Sequence, residues 1–181
     1  MKAKKSDWLN SKTIALIAVL TAITTVLTLI VRIPFAPTRG YITLADVGVY
    51  FASFALGPLV GAIAGGVGTG LADAISGYPQ WMVLSAIIHG LQGLLAGLIG
   101  KRKNKIGYMI LGWAVGAVVM VGGYFVAEVA LYGVGPAVSE LLGNAFQNVT
   151  GGLIGIPLVF AVRKAYPPIN EIGRAKAWQE Q

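Results

Sequence analysis

Polar side chains recur at helical spacing inside three long apolar segments of the chain. Residues three or four positions apart lie on the same face of an α-helix, and each segment has one such polar face. The faces comprise Ser85, His89 and Gln92; Tyr124, Glu128 and Tyr132; and Asn144, Gln147 and Asn148. Polar groups within membrane-spanning helices are costly and often mark binding sites or transport pathways. The three faces therefore indicate a shared polar site.

The chemistry of these side chains suits a small aromatic heterocycle. His89 and the amides of Asn144, Gln147 and Asn148 can bond hydroxyl groups or ring nitrogens. Glu128 can pair with an amine or a protonated ring nitrogen. The aromatic residues Tyr124, Tyr132 and Trp81 can stack on a ring. No lysine or arginine lies deep in these segments, which disfavours a strongly anionic ligand.

The depth of the three faces predicts a pocket that opens to the outside. At about 1.5 Å of rise per residue, all three reach similar depths below the outer helix ends. The alternative is a set of interhelical hydrogen bonds that only holds the helices together. The loop Thr38–Tyr41 lies above this level, and Arg39 and Tyr41 either cover a bound ligand or anchor the surface.

The composition indicates that most of the protein surface faces a membrane rather than water. Of the residues, 56% are hydrophobic and 12% charged, whereas soluble domains have about 25% charged residues. We predict a single all-α integral membrane domain over residues 1–181, a bundle of six transmembrane helices. The predicted helices span about 13–33, 44–56, 60–75, 81–99, 106–131 and 137–162.

Basic residues predict the orientation of this bundle. With six spans, 12 of the 14 lysines and arginines fall on one side, and only Arg32 and Arg39 fall on the other. The positive-inside rule then places both termini in the cytoplasm. The net charge of +7 thus reflects membrane topology, and we expect no nucleic-acid partner.

The sequence gives little support to an enzyme. It has no phosphate-binding GxxxxGK[ST] motif, no HExxH and no GxSxG. It has no cysteine, and His89 is its single histidine, so we expect neither a metal nor a cofactor. Ser85 and His89 could touch across one turn, but a hydrolase would also need an oxyanion hole. An ion channel would need a polar lining through the whole span, and the cytoplasmic halves are apolar.

Small residues at four-residue spacing predict close helix contacts. Gly57, Gly61 and Gly65 follow this spacing, and packing inside the bundle is the favoured interpretation. Ala18 and Ala22 repeat it in the first helix. For these alanines, spacing alone also favours internal packing, and docking onto another membrane protein is the alternative.

Two acidic residues near predicted helix ends receive a different interpretation. Asp46 lies at the start of the second helix and Asp73 near the outer end of the third. Thr43 and Asp46 have the spacing of a capping box. We therefore predict capping or interfacial roles for both carboxylates.

Four stretches of the chain resemble the substrate-binding (S) component of energy-coupling factor (ECF) vitamin transporters. They are Ala18–Ala22, Arg39–Asp46, Phe54–Gly61 and Gly65–Asp73. The resemblance extends from about residue 12 to 165, and its most specific part is the loop with the second helix.

The resemblance implies a role in ATP-driven vitamin uptake. Such S components bind a vitamin or its precursor from outside and sit in the bacterial cell membrane. They dock onto a membrane coupling (T) subunit that carries two ABC-type ATPases. By the resemblance, Ala18 and Ala22 make the docking contact and residues 34–41 form a lid. Tipping of the whole S component then carries the pocket inward.

The resemblance also suggests a class of substrate. It is strongest to members assigned to pyridoxine or to hydroxymethylpyrimidine, the thiamine precursor. Two alternatives remain open, a riboflavin-type S component and a stand-alone secondary transporter. A secondary transporter would be expected to have internal repeats, and none is convincing here.

Overall fold

The computed structural model describes residues 11–101 and 105–172, which form a helical bundle with one small hairpin. The elements are α1 (Ser11–Ile30), β1 (Ile33–Phe35), β2 (Gly40–Ile42), α2 (Ala45–Leu56), α3 (Pro58–Ser76), α4 (Pro79–Gly100), α5 (Ile106–Tyr132), α6 (Val134–Ala165) and α7 (Ile169–Ile172). In the described part of the chain, α1, α3, α4, α5 and α6 are long and apolar enough to cross a membrane. The apolar helix α2, with 12 residues, is shorter.

Prolines and glycines explain where several helices begin and end. Pro58 and Pro79 occupy the first turns of α3 and α4, where a missing N–H has no helical partner to lose. These helices therefore start two residues before their predicted starts. Gly77 ends α3 with a φ of 80°, a left-handed conformation that glycine adopts without steric cost.

The segment predicted as a loop contains an antiparallel hairpin, which the all-α prediction missed. Ile33 pairs with Ile42 and Phe35 with Gly40, so α1 ends at Ile30 rather than near residue 33. Strands this short have little hydrophobic periodicity, and prolines in the segment masked the signal. We refer to residues 33–42 as the hairpin.

The short helix α2 lies at the centre of the bundle. It packs against α1, α3, α4 and α6, while α3, α4, α5 and α6 contact one another in succession around it. Tyr50 and Phe54 of α2, Met109 of α5 and Val159 of α6 are fully buried in the apolar core. This core occupies the half of the bundle away from the hairpin and leaves the hairpin half to polar residues.

Glycines permit the close approach of α3 and α4. A Cβ atom on Gly93 would lie 2.4 Å from the carbonyl oxygen of Gly61, and one on Gly66 would lie 2.6 Å from that of Ala86. A Cβ atom on Gly65 would likewise lie 2.7 Å from the carbonyl oxygen of His89, so internal packing is confirmed for Gly61 and Gly65. These contacts leave no room for a side chain at the interface. Gly57 instead forms the turn between α2 and α3, with a φ of 108°.

The alanines of α1 behave differently from the glycines. Ala18 and Ala22 are exposed on the outer face of the helix. Packing inside the bundle, which spacing alone favoured, is therefore wrong for these two residues. The inner face of α1, with Leu20, Thr24 and Thr28, is buried against the bundle.

Two cations cap the C-terminus of α2 at the end of the bundle opposite the hairpin. The ammonium of Lys101 donates to the carbonyl oxygen of Ala55. The guanidinium of Arg163 donates to that of Phe54 at 2.8 Å. Basic side chains satisfy the last helix carbonyls and complement the helix dipole. They satisfy carbonyl groups at the end of α2, which stops at Gly57 with a φ of 108°.

Candidate ligand-binding site

A polar cavity lies below the hairpin, between the ends of α3, α4, α5 and α6. The space inside it is about 30 Å³, well below the roughly 300–1,000 Å³ typical of small-molecule sites, so side chains of the wall or the hairpin must move to admit a ligand. The lining residues are Thr28, Gly40, Tyr41, Thr43, Ala45, Thr69, Asp73, Trp81, Ser85, His89, Tyr124, Glu128, Glu140, Asn144 and Gln147.

Two carboxylates of the cavity wall hold the hairpin in place. The hydroxyl of Thr38 donates to Oε2 of Glu140 on α6, and the phenol of Tyr41 donates to Oδ1 of Asp73 on α3. Burial, and then the neighbouring carboxylate, raise the pKa of Tyr41 above its usual value, so its phenol remains a donor. Residues that line the cavity thus also bind the hairpin above it.

A third contact joins the hairpin to α4. The indole N–H of Trp81 donates to the main-chain carbonyl of Arg39 at 3.2 Å. Arg39 has a φ of 50°, and its side chain is exposed. Its contribution at this position therefore comes from its backbone.

Aromatic rings form one wall of the cavity. The ring centroids of Trp81 and Tyr124 are 5.6 Å apart, and those of His89 and Tyr124 are also 5.6 Å apart. The phenol of Tyr124 donates to the hydroxyl of Ser85 at 2.8 Å. This wall offers ring faces and edges against which a planar ligand can pack.

Two buried carboxylate oxygens have no hydrogen-bond partner within residues 11–101 and 105–172. They are Oε2 of Glu128 and Oδ2 of Asp73. Asn144 donates to the other oxygen of Glu128 at 3.0 Å. The carboxyl group of Glu140 also lies within hydrogen-bonding reach of Glu128, and two such groups bond to each other only when one of them is protonated.

A second polar layer lies beneath the cavity and is centred on Asp46. The carboxylate of Asp46 accepts from the amides of Gln92, Gln147 at 2.7 Å and Asn148 at 3.0 Å. Asn148 also donates to the phenol oxygen of Tyr50 at 2.9 Å. We call these five residues the floor cluster.

The structure brings seven of the ten predicted ligand contacts to the cavity wall. They are Tyr41, Trp81, His89, Tyr124, Glu128, Asn144 and Gln147. The other three lie around it. Asn148 belongs to the floor cluster, Tyr132 lies behind Trp81 with ring centroids 6.0 Å apart, and the side chain of Arg39 faces outward.

Three acidic residues have a larger part in this region than the sequence indicated. Asp46 and Asp73 are 0% and 3% exposed, so the predicted capping and interfacial roles are wrong. The helix α2 has no side-chain cap at its start. Glu140, also on the wall, was not singled out. Its four-residue spacing from Asn144 could have placed it on the same polar face.

None of the described residues forms a group of three or more histidine, cysteine, aspartate or glutamate side chains able to hold a metal ion. The wall instead combines aromatic rings, amides and carboxylates. Such a wall, in an apolar helical bundle, defines a membrane protein that binds a small polar molecule.

Comparison with known proteins identifies the family. The family described as ECF-type riboflavin transporter, S component, matches residues 8–164. The chain therefore belongs to this family, whose members are transporter components rather than enzymes. It is a vitamin-uptake S component, as its resemblance predicted.

Two relatives cover most of the chain. The thiamine precursor transporter HmpT of Lactococcus lactis subsp. cremoris is 37% identical over 169 residues, 93% of each chain. A protein of Pyrococcus woesei, described as an uncharacterized protein in gap 3′ region, is 40% identical over 147 residues. That match covers 81% of this chain and 99% of the relative.

Proposed function

We propose that this S component binds hydroxymethylpyrimidine for uptake as a thiamine precursor. The observation that most strongly supports this proposal is the aromatic cavity, in which buried carboxylate oxygens of Glu128 and Asp73 have no hydrogen-bond partner among the described residues. The likeness to a thiamine precursor transporter supports this substrate. Seven of the predicted ligand contacts line this cavity, and we propose them as the site.

The ligand has the groups that this wall lacks. Hydroxymethylpyrimidine is a single planar ring with an amino group and a hydroxymethyl group, so it brings N–H and O–H donors. The described wall includes carboxylates but no lysine or arginine. Pyridoxine has a ring of similar size without the amino group, and riboflavin has three fused rings and a long polyol chain.

A binding assay on the purified protein tests this assignment. Hydroxymethylpyrimidine, pyridoxine and riboflavin are titrated separately by calorimetry in detergent. We expect hydroxymethylpyrimidine to bind at least about tenfold more tightly than the other two, which corresponds to about 1.4 kcal/mol. Tightest binding of riboflavin or pyridoxine would replace the proposed substrate, and no binding would refute it.

We further propose a single membrane domain with six spans and both termini in the cytoplasm. Within the described residues, Lys12, Lys101 and Lys105 lie at the end opposite the hairpin, as do Arg163 and Lys164. The surrounding helices shield α2, which is too short to span a bilayer of about 30 Å unaided.

Cysteine labelling tests this orientation, because the natural chain has no cysteine. Ala36 at the hairpin and Gly107 at the opposite end are both exposed. We expect an impermeant thiol reagent applied outside to label Ala36→Cys and to spare Gly107→Cys until the cells are opened. The reverse pattern would contradict the orientation.

We propose that Ala18 and Ala22 form the docking face for a membrane coupling subunit. That subunit would carry two ABC-type ATPases in the bacterial cell membrane. Both alanines are exposed on one side of α1, where small side chains allow another helix to approach. The family assignment supports a partner of this kind.

Bulky substitutions separate docking from binding. Ala18→Trp and Ala22→Trp should abolish uptake and co-purification of the coupling subunit, with ligand affinity unchanged. Ala161→Trp on α6 is the control, since Ala161 is also exposed. Equal loss of uptake in all three variants would argue against a docking role for α1.

A further inference from the structure

The two unpartnered carboxylate oxygens lie on different walls of the cavity. Glu128 is on α5 and Asp73 on α3, with α4 packed between these helices. Both side chains are nearly inaccessible, at 1% and 3% exposure. A buried acceptor without a donor is unfavourable, so a ligand that donates to both oxygens would relieve both.

The two carboxylates have different neighbours. Glu128 lies beside a second carboxyl group, that of Glu140. Asp73 already accepts from the phenol of Tyr41. The hydroxyl of Ser85 approaches Asp73 without forming a hydrogen bond to Oδ2. Two carboxyl groups therefore meet at the Glu128 wall, whereas the Asp73 wall already has hydroxyl donors.

The ligand likewise carries two different kinds of hydrogen-bond donor. An amino group on the ring provides two N–H donors, which two adjacent carboxyl groups can share, and a hydroxymethyl group provides one O–H donor. The amino group matches Glu128 with Glu140. The hydroxyl matches the single open oxygen of Asp73.

Tyr124 links the two walls. Its phenol bonds to Ser85 beside Asp73, and its backbone lies one helical turn from Glu128 on α5. A ring placed against Tyr124 and Trp81 would therefore extend from one carboxylate toward the other.

We propose that Glu128 and Asp73 fix the orientation of the pyrimidine, with its amino group at Glu128 and its hydroxymethyl group at Asp73. This inference rests on the proposed function and deepens it. It also makes Asp73 a specificity residue, because a phosphate on the hydroxymethyl oxygen would place negative charge against this carboxylate. The site would thus select the unphosphorylated precursor.

Paired changes in ligand and protein test the orientation. The ligands are hydroxymethylpyrimidine, an analogue with hydrogen in place of the amino group, and an analogue with methyl in place of the hydroxymethyl group. Each is titrated into the natural protein, Glu128→Gln and Asp73→Asn. Contacts that depend on each other give non-additive losses in such a cycle.

We expect loss of the amino group to weaken binding about 10- to 100-fold in the natural protein and about threefold or less in Glu128→Gln. Loss of the hydroxyl should follow the same pattern with Asp73→Asn. The crossed combinations should be additive. Ser139→Ala, an exposed change on α6, is the control and should leave every affinity unchanged.

Three results would overturn the orientation. Coupling of the amino group to Asp73 would reverse it, and additive losses in both cycles would remove it while leaving the proposed substrate intact. Failure of the natural protein to bind hydroxymethylpyrimidine would refute the proposed substrate and the orientation stated for it. The phosphorylated ligand needs no variant, and we expect it to bind the natural protein at least about 100-fold more weakly.

Discussion

Two polar clusters lie one above the other in the bundle and are built from the same residue types. The floor cluster surrounds Asp46 with three amide donors. The cavity above it contains carboxylate oxygens of Asp73 and Glu128 that have no donor in the described chain. Because buried polar groups are usually hydrogen-bonded, the difference separates a layer that holds helices together from the layer that we propose as the ligand site.

Gln147 marks the boundary between these clusters. Its amide nitrogen donates to Asp46 below, and its amide oxygen accepts from the main-chain N–H of Thr43 at 2.6 Å. It also lines the cavity. The hairpin exit, the floor and the cavity wall thus meet at one side chain, so changes there would affect both stability and binding.

The largest expected effect comes from removing the centre of the floor cluster. Asp46→Leu leaves the amides of Gln92, Gln147 and Asn148 without their acceptor. We expect a loss of about 3–5 kcal/mol in the free energy of unfolding. Thermal unfolding in detergent, with the yield of monodisperse protein, measures this loss. Asp46→Asn is the control and should be milder, because it keeps the shape and one acceptor oxygen.

A stable Asp46→Leu protein that fails only in ligand binding would contradict the comparison. It would show that the floor belongs to the binding site. The satisfied hydrogen bonds of Asp46 would then be a poor guide to its role.

The sequence could identify polar helix faces but not the layer that each residue occupies. Spacing placed Asn144 and Asn148 on one face of α6. It could not show that Asn148 meets Asp46 across the bundle, because that contact joins residues far apart in the chain. Asp46 and Asp73 were misassigned for the same reason, since their burial depends on how α2 and α3 pack. The glycine packing of α3 was predictable because close contacts require small residues whatever the partner.

The second-largest effect is expected from a change in the cavity wall, at Glu128. Glu128→Gln keeps the side-chain shape and removes the charge. We expect ligand affinity to fall about 5- to 150-fold, equivalent to about 1–3 kcal/mol. The unliganded protein should unfold at the same or a higher temperature, because a buried carboxyl group beside that of Glu140 is replaced by a neutral amide. Calorimetric titration and a thermal melt of the same sample provide both readings. A lower melting temperature with unchanged affinity would show that Glu128 stabilises the helical bundle and does not bind the ligand.

Asn144 and Asn148 allow the sharpest matched comparison, since they are the same residue type one turn apart on α6. Asn148→Ala removes bonds to Asp46 and Tyr50, so we expect a loss of about 1–3 kcal/mol in stability with little direct effect on affinity. Asn144→Ala removes the donor to Glu128. It should weaken ligand binding about fivefold, or about 1 kcal/mol. If the two variants lost stability and ligand affinity to the same extent, the distinction between the floor cluster and the cavity wall would be wrong.

The smallest expected effect is at Arg39, above both clusters. Its side chain is exposed, and its described contacts with Trp81 and Gln80 go through the main-chain carbonyl. Arg39→Ala keeps that carbonyl, so we expect ligand affinity to remain within about twofold of the natural protein, or about 0.4 kcal/mol.

Trp81→Phe is the informative partner, because it keeps an aromatic ring and removes the N–H that binds the hairpin. It should weaken binding about fivefold and speed ligand dissociation, measured by stopped-flow fluorescence or by competition. A large loss in Arg39→Ala with little change in Trp81→Phe would show that the arginine side chain itself reaches the ligand.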